Sequence, residues 1–367
     1  MEYSIIIPFY DNQRLLDLCL RNLFATIDEA ECEVLVIIDN PQQEGLRPST
    51  HGPVRLVRPG VNLGYSGACN LGAWEARGQT LVFLDSDIVP EAGWLPALAA
   101  RHRSGRSIGG VAGKLLDLSR GRMAYFGLAF HEVDVMKPFQ HNRADLPFVC
   151  ADRSFQSVPS GLFMISRKVF GEIDGFDEQL FNAYSDLDFS LKLQQAGLQT
   201  WVAAGALGYH RGGVSGEIRH SMHSDVKALF FRKWGGVIRN DALEILQGSA
   251  RAFAANRTFR GREVLAVNLS STLFHRDYME SIMSALPLQP VTTYNLPGRD
   301  RTLQSIRLEE RLSWDVCRTR IPIFYFLDDF SQVEHNHYWF MHRAHPGDIV
   351  ADRHGNIFSV EEMAALS

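Results

Sequence analysis

Two apolar runs end abruptly in acids, and those acids are the first candidates for chemistry. Glu33 to Ile38 (EVLVII) gives way to Asp39-Asn40, and Leu81 to Leu84 (LVFL) gives way to Asp85-Ser86-Asp87. A carboxylate so placed can accept hydrogen bonds from a base or ribose. Two acids two residues apart can help hold a hard divalent cation against phosphate oxygens. Short acids also cap turns and helices, so an isolated DxD says little. The stretch between them, Asn62-Leu-Gly64-Tyr-Ser-Gly-Ala-Cys-Asn70-Leu-Gly72, sets glycines and polar groups ahead of a helix. Glycine lets backbone approach a ligand, and a helix N-terminus favours anions. The stretch is neither GxGxxG nor a P-loop, which counts against nicotinamide and ATP-hydrolysing chemistry.

A second constellation lies mid-chain. Ser157 to Arg167 (SVPSGLFMISR) reads as a turn feeding a buried strand, and Gly175-Phe-Asp-Glu178 precedes Tyr184-Ser185-Asp186-Leu187-Asp188. Asp186 and Asp188 open a helical run through Ala196, where the helix dipole stabilises anions. His210 follows the apolar segment Thr200 to Ala204.

Positioning these groups requires a sheet. Ser4 to Pro8, Glu33 to Ile38, Val54 to Val57 and Leu81 to Leu84 read as strands. Helical patterns cover Arg14 to Ile27, with Leu15, Leu18, Cys19 and Leu23 on one face, and Ser66 to Arg77. This alternation predicts a mainly parallel α/β sheet flanked by helices, with ligands at the carboxyl ends of the strands.

The chain has 367 residues, room for one large domain and a smaller one. Its formal charge of −5 provides no global basic field for nucleic acid or anionic lipid. No apolar run approaches membrane-spanning length and no signal pattern follows Met1, so a cytoplasmic location is expected. Five scattered cysteines, Cys19, Cys32, Cys69, Cys150 and Cys317, read as reduced thiols serving as small core residues.

The order SIIIPFYDN, VIIDN, NLGYSGACNLG, FLDSD, SGLFMISR, GFDE, SDLDFSLKLQQAG and a late histidine resembles family 2 glycosyltransferases. Phe231-Arg-Lys-Trp-Gly235 resembles the motif that often closes non-processive members, and the resemblance spans roughly residues 3 to 235. It implies a GT-A type nucleotide-sugar-binding domain over residues 1–235, with a smaller C-terminal α/β appendage over 236–367. It implies inverting transfer of a single sugar from a UDP- or dTDP-linked donor to a glycan or lipid-linked acceptor, in surface glycan or glycolipid biosynthesis. Pro8, Phe9 and Tyr10 would line the nucleobase pocket and Asp39 would accept from the base. Asn62, Gly64, Asn70, Asp85 and Ser86 would complete the donor site, with Asp85 on base or ribose. Asp87 and His210 would hold Mn2+ or Mg2+. Asp186 would be the general base, with Asp188 as rival or support. Ser185 stands where the family usually has an acid. The QxxRW motif of processive synthases is missing.

The alternative from another class is a non-catalytic nucleotide-sugar-binding or scaffold protein. A sugar nucleotidyltransferase is disfavoured because Pro8 to Asn12 lacks a glycine-rich, basic loop. Beyond residue 236, a helix near Val237 to Phe253 is expected, then strands at Val264 to Leu269, Val291 to Leu296 and Ile321 to Leu327. A helical pattern covers Leu303 to Arg318. Asp328-Asp329 read as turn caps. His335, His337, His342 and His345 with Tyr338, Trp339 and Phe340 read as packing or acceptor binding rather than a zinc site. Arg251, Arg257, Arg260 and Arg262 read as a solvated face that could meet anionic headgroups, making any membrane contact peripheral. The appendage could also make a homo-oligomer.

Overall fold

In the computed structural model the described residues are 1–49, 52–119, 121–131, 134–140, 143–145, 147–211, 223–255, 262–268, 274–285, 288–295, 323–327, 347–352 and 355–359. Two compact units emerge. The first comprises Met1–Lys137 with Asn142–Asn240, and the second Pro138–His141 with Asp241–Ser367. Leu303 to Arg318, Asp328-Asp329, the histidine-aromatic segment, Arg257, Arg260 and Cys317 lie outside the described residues.

The first unit begins β1 (Tyr3–Phe9), α1 (Gln13–Phe24), β2 (Cys32–Ile38), β3 (Val54–Val57), α2 (Gly64–Glu75), β4 (Thr80–Leu84) and β5 (Ile88–Pro90). It continues with α3 (Trp94–Arg103), β6 (Ile108–Asp117), β7 (Met123–Tyr125), β8 (Ala129–His131), β9 (Asp134–Met136), β10 (Arg153–Phe155), β11 (Leu162–Ser166) and α4 (Arg167–Glu172). It ends with α5 (Ser185–Gln195), β12 (Gln199–His210) and α6 (His223–Trp234). The main sheet has the order β10-β12-β6-β11-β4-β1-β2-β3, with β5 added to β12 and β7 to β6.

Strands β4, β1, β2 and β3 are parallel. Their central members are nearly unbroken apolar runs because both faces are covered, and Ile5, Ile6 and Ile7 are fully buried. Beyond β4 the sheet is mixed. β11 runs antiparallel to both β4 and β6, while β12 is parallel to β6. The turn-then-strand pattern of SVPSGLFMISR becomes that reversed strand.

Asn12 caps α1 by accepting from the Leu15 N–H at 3.3 Å. The buried face of α1 is Leu15, Leu16, Cys19, Leu20 and Leu23. Leu18, expected on that face, is only half-buried, because the 3.6-residue period carries the stripe through Leu16 and Leu20 instead. Cys19, Cys32 and Cys69 are core residues as expected, whereas Cys150 is exposed.

The second unit contains α7 (Ala242–Ala255), β13 (Arg262–Asn268), α8 (Phe274–Ala285), β14 (Leu288–Asn295), β15 (Ile323–Leu327), β16 (Ile349–Asp352) and β17 (Ile357–Ser359). Its sheet has the order β14-β13-β15-β16-β17, parallel except for β17. The helix expected from Val237 starts at Ala242. Helix α8 and the β16–β17 hairpin were not legible in the sequence. Asp352 and Asn356, both buried, close that hairpin through the Asn356 N–H to Asp352 Oδ1 bond at 3.0 Å. Among the described residues no helix is long and apolar enough to cross a membrane.

Candidate active site

The carboxyl ends of β4, β1 and β2 stand side by side, which brings Asp85 and Asp39 to one edge with Pro8 to Tyr10 between them. Phe9 is not a pocket wall. Its side chain is 1% exposed within the core, and only its carbonyl serves the site, accepting from the Asp39 N–H at 2.8 Å. Alternation along the strand explains this, since Phe9 points to the α1 face. Pro8 is half-buried and Tyr10 is exposed, so both remain at the edge.

Asp39 is 4% exposed and accepts from the Leu63 N–H at 2.6 Å. Burial pushes its carboxyl up to about 6, against the opposing pull of the Leu63 and Gly64 amides.

The loop ahead of α2 does not present free amides to an anion. The Gly64 N–H goes to Asn62 Oδ1 at 3.0 Å, the Tyr65 N–H to Asn182 Oδ1 at 2.9 Å, and the Ser66 N–H to the Phe181 carbonyl at 3.4 Å. With Leu63 on Asp39, the first donors of α2 are spent within the protein. Gly64 serves the same packing. It has φ +70°, and a Cβ there would meet the Phe181 ring at 2.5 Å.

Asn70 is likewise structural. Its Oδ1 accepts from the Phe176 N–H at 2.9 Å, and its Nδ2 donates to the Phe176 carbonyl at 2.9 Å and Glu178 Oε1 at 3.0 Å. The NLGYSGACNLG and GFDE motifs therefore meet to hold each other, with Gly64 and Asn70 committed to that packing and Asn62 exposed at the loop.

Asp85 extends the β4–β11 pairing, its N–H donating to the Gly161 carbonyl at 2.7 Å. A Cβ on Gly161 would lie 2.5 Å from Asp85 Oδ2, so glycine leaves room for that carboxylate. The Ile88 N–H to Asp85 carbonyl bond at 3.0 Å closes the Asp85-Ser86-Asp87 turn, with Ser86 half-buried in it. The chain then enters β5, where Ile88 pairs with His210 of β12. That register sets Asp87 Oδ2 3.4 Å from His210 Nε2, and the Arg211 N–H reaches the Asp87 carbonyl at 3.2 Å. Burial works against the imidazolium. The hydrogen bond and charge of Asp87, with the charge of Asp85, outweigh it and leave His210 above its ordinary value.

Tyr125 stacks edge-on to His210 at 5.9 Å, and Lys137 Nζ lies 4.4 Å over the Tyr125 ring. Lys137 thus brings a cation to an otherwise acidic cluster. The sequence held no signal for it, because β7 and the turn after β9 meet only in three dimensions.

Asp87 and His210 offer a carboxylate oxygen and an imidazole nitrogen, donors that suit Mn2+ and, through the oxygen, Mg2+. Among the described residues no group of three or more His, Cys, Asp or Glu could cage a metal. The donor set therefore fits a cation shared with a ligand's phosphate oxygens and water.

Asp186 is half-buried in the first turn of α5, its Oδ1 accepting from the Leu187 N–H at 2.9 Å. Tyr65 feels the charges of both Asp186 and Asp85. The Tyr65 hydroxyl lies 2.9 Å from Ser160 Oγ, and burial, reinforced by the charges of Asp85 and Asp186, holds it well above the usual phenol range. Tyr65 and Ser160 are site residues that the sequence reading did not single out. Asp188 differs from Asp186. It is completely buried, with Trp234 Nε1 and Lys233 Nζ each 2.7 Å from Oδ1 and Lys192 Nζ 3.9 Å from Oδ2. A carboxylate so occupied supports structure rather than abstracting protons. Ser185 is also buried, a place where a larger acid would need its own partner.

An acid-bearing carboxyl edge of a part-parallel sheet, with further carboxylates at a helix start across from it, defines an α/β domain of the GT-A type. Consistent with this, the family model described as glycosyl transferase family 2 matches residues 4–173. Residues 4–173 are thus similar to glycosyl transferase family 2. The chain is 29% identical over 217 residues to the O-antigen biosynthesis protein RfbC of Myxococcus xanthus, covering 54% of this chain and 16% of that protein. It is 25% identical over 236 residues to N-acetylgalactosaminyltransferase 7 of Drosophila melanogaster, covering 56% of this chain and 39% of that one. This chain therefore spans less than half the length of either relative. The crystal structure of GalNAc-T7 with UDP, GalNAc and Mn2+ superposes with a TM-score of 0.50 at 19% identity, over 59% of this chain and 45% of that one, and shares the fold.

Proposed function

We propose that this protein transfers a single sugar, with inversion, from a nucleoside-diphosphate sugar to an acceptor hydroxyl in surface glycan or glycolipid assembly. The observation that carries the reading is the gathering of Asp39, Asp85 and the Asp87–His210 pair on one sheet edge.

Asp39 accepts the ring N–H of uracil or thymine, which both offer, so UDP- and dTDP-linked donors suit it equally. Asp85 holds the base or ribose. Asp87 and His210 would hold the cation, which when bound offsets charge on the departing diphosphate. Lys137 adds a protein charge near that position. Asp186 removes the acceptor hydroxyl proton, and direct displacement from the opposite side inverts the anomeric carbon. The acceptor is a glycan or lipid-linked hydroxyl, with any membrane contact peripheral.

The test is calorimetric titration of UDP, dTDP, GDP and CDP with and without Mn2+, repeated on Asp87→Ala. We expect one nucleotide to bind only with the metal and the substitution to abolish it. Failure of all four nucleotides would remove the donor-site assignment. Asp186→Asn should keep nucleotide binding and lose turnover. Full turnover by that variant would remove the base assignment.

A further inference from the structure

Asp186 sits between two residues held by the same helix. Two positions before it, Tyr184 adopts a left-handed backbone with φ +61° and provides no side-chain cap for α5. Its ring packs at 5.1 Å from Phe230 and 6.4 Å from Phe231, both on α6. Two positions after it, Asp188 accepts from Trp234 Nε1, also on α6, and pairs with Lys233. Lys233 in turn reaches Asp177 Oδ2 at 2.7 Å, tying in the turn that Asn70 grips. Leu187 packs with Val226, Phe230 and Trp234 in one apolar cluster. Apart from the Val226 contact in the first turn, these attachments are to the carboxyl-terminal half of α6.

A buried carboxylate is an expensive way to join two helices. An apolar contact of the same volume holds them at least as well, so a buried ion pair makes its case through specificity of geometry. Here the Asp188 grip is directional, with an indole N–H and an ammonium converging on one oxygen. With no side-chain cap on α5, that grip adds a directional polar tie to the apolar contacts of Tyr184 and Leu187.

Building on the proposed role of Asp186, we infer that the carboxyl-terminal turn of α6, through Trp234 and Lys233 on Asp188, is a positioning device that aims the Asp186 carboxylate at the acceptor hydroxyl. Trp234 is buried, and Lys233 is engaged by Asp177 and Asp188. Their loss should lower the rate of the chemical step without loosening the nucleotide, since Asp39, Asp85 and Asp87 lie on other elements. Misplacing a reacting group by about 1 Å can cost on the order of a hundredfold in rate.

The experiment compares Trp234→Phe, Lys233→Met and Lys233→Arg with the full-length parent. Calorimetry with UDP and Mn2+ reads the donor site, and nucleoside diphosphate release from UDP- and dTDP-linked hexoses, with water as acceptor, reads turnover. The side-chain 13C resonance of labelled Asp186 at fixed pH gives a readout that needs no donor. Melting curves establish folding.

We expect kcat to fall about tenfold to a hundredfold in Trp234→Phe and Lys233→Met, nucleotide affinity to stay within about twofold, and the Asp186 resonance to move, with Lys233→Arg restoring much of the rate. Folded variants with parental kcat, or with an unmoved Asp186 resonance, would overturn the inference. So would parallel losses of affinity and rate, the mark of a merely structural strut. Asp186→Asn separates the two readings. If it retains turnover, the base assignment fails. If it is inactive while Trp234→Phe matches the parent, only the positioning role fails.

Discussion

Replacing Asp39 by Asn should stabilise the protein while weakening it as a nucleotide binder, and the gain should grow with pH. Asp39 is nearly buried, and its carboxyl is raised from 3.8 to about 6 chiefly by that burial. A raised acid holds its proton longer in the folded state. Its contribution is therefore fully present below the unfolded value and is lost as pH rises through the folded one. Linkage puts the cost of ionising Asp39 at about 0.6 kcal/mol at pH 4, about 1.6 at pH 5 and about 3 at pH 8. Asn escapes that cost, and its Oδ1 can still accept from the Leu63 N–H. The preference of that amide for a carboxylate over a neutral acceptor is already contained in the folded value of about 6. The net gain is then about 3 kcal/mol at pH 8, falling to about 1.6 at pH 5 and about 0.6 at pH 4. Urea titrations of both proteins across that range measure the difference directly. A difference that stays flat with pH, or an Asn variant less stable at pH 8, would refute the placement of a strained carboxylate there. The same titration bears on function, because the protonated acid presents a donor where the base also offers one. UDP affinity of the parent should decline as pH falls through about 6, and Asp39→Asn should bind weakly at every pH.

Gly161→Ala forces a Cβ to 2.5 Å from Asp85 Oδ2, so the carboxylate must swing away. We expect about a tenfold loss of UDP affinity by calorimetry, with about 1 to 3 kcal/mol lost in urea unfolding. Lys137→Met should weaken nucleotide binding about tenfold at low salt and flatten its salt dependence, because a charge facing the Asp85, Asp87 and His210 cluster is removed. Asn70→Ala breaks the three bonds to Phe176 and Glu178 and should cost about 1 to 3 kcal/mol of stability. The folded fraction should bind UDP as the parent does.

The sheet edge was legible because parallel strands covered on both faces leave long apolar runs, and EVLVII-Asp39 and LVFL-Asp85 announce where they stop. Their adjacency follows from the rule that ligands gather at carboxyl ends. What sequence conceals is direction and partnership. Phe9 lies inside because the pleat turns it there, and a run without alternation carries no mark of which face a residue takes. Gly64 and Asn70 looked like ligand groups because glycine and amide serve tight packing and close ligand approach with the same residue types. Only the positions of Phe181, Phe176 and Glu178, more than a hundred residues on, distinguish the two uses. Lys137 and Tyr65 were invisible for the same reason. Each gains its meaning from a neighbour that the topology delivers from elsewhere.

The aspartates of the first unit show how one side chain takes different roles according to what surrounds it. Asp188 has an ammonium and an indole on one oxygen and no exposure, so it cannot exchange partners during a reaction. Asp39 is buried with the Leu63 N–H on Oδ1, and as a carboxylate with two oxygens it can still accept an incoming N–H. Asp87 and Asp186 keep contact with solvent, the one facing His210 and the other at a helix start where its negative charge is favoured. Substitution should sort them accordingly. Asp87→Asn and Asp186→Asn are expected to abolish turnover at a stability cost under about 1 kcal/mol, since neither leaves a buried charge unpaired. Asp188→Asn removes one charge partner from Lys233, which keeps Asp177, and the nearby charge from Lys192. Breaking such a pair costs about 3 to 5 kcal/mol in a fully buried setting, and Lys233 is 36% exposed, so about 1 to 3 kcal/mol is expected here. If Asp188→Asn proved as stable as the parent and Asp186→Asn unfolded it, the roles assigned to these two neighbours would be reversed.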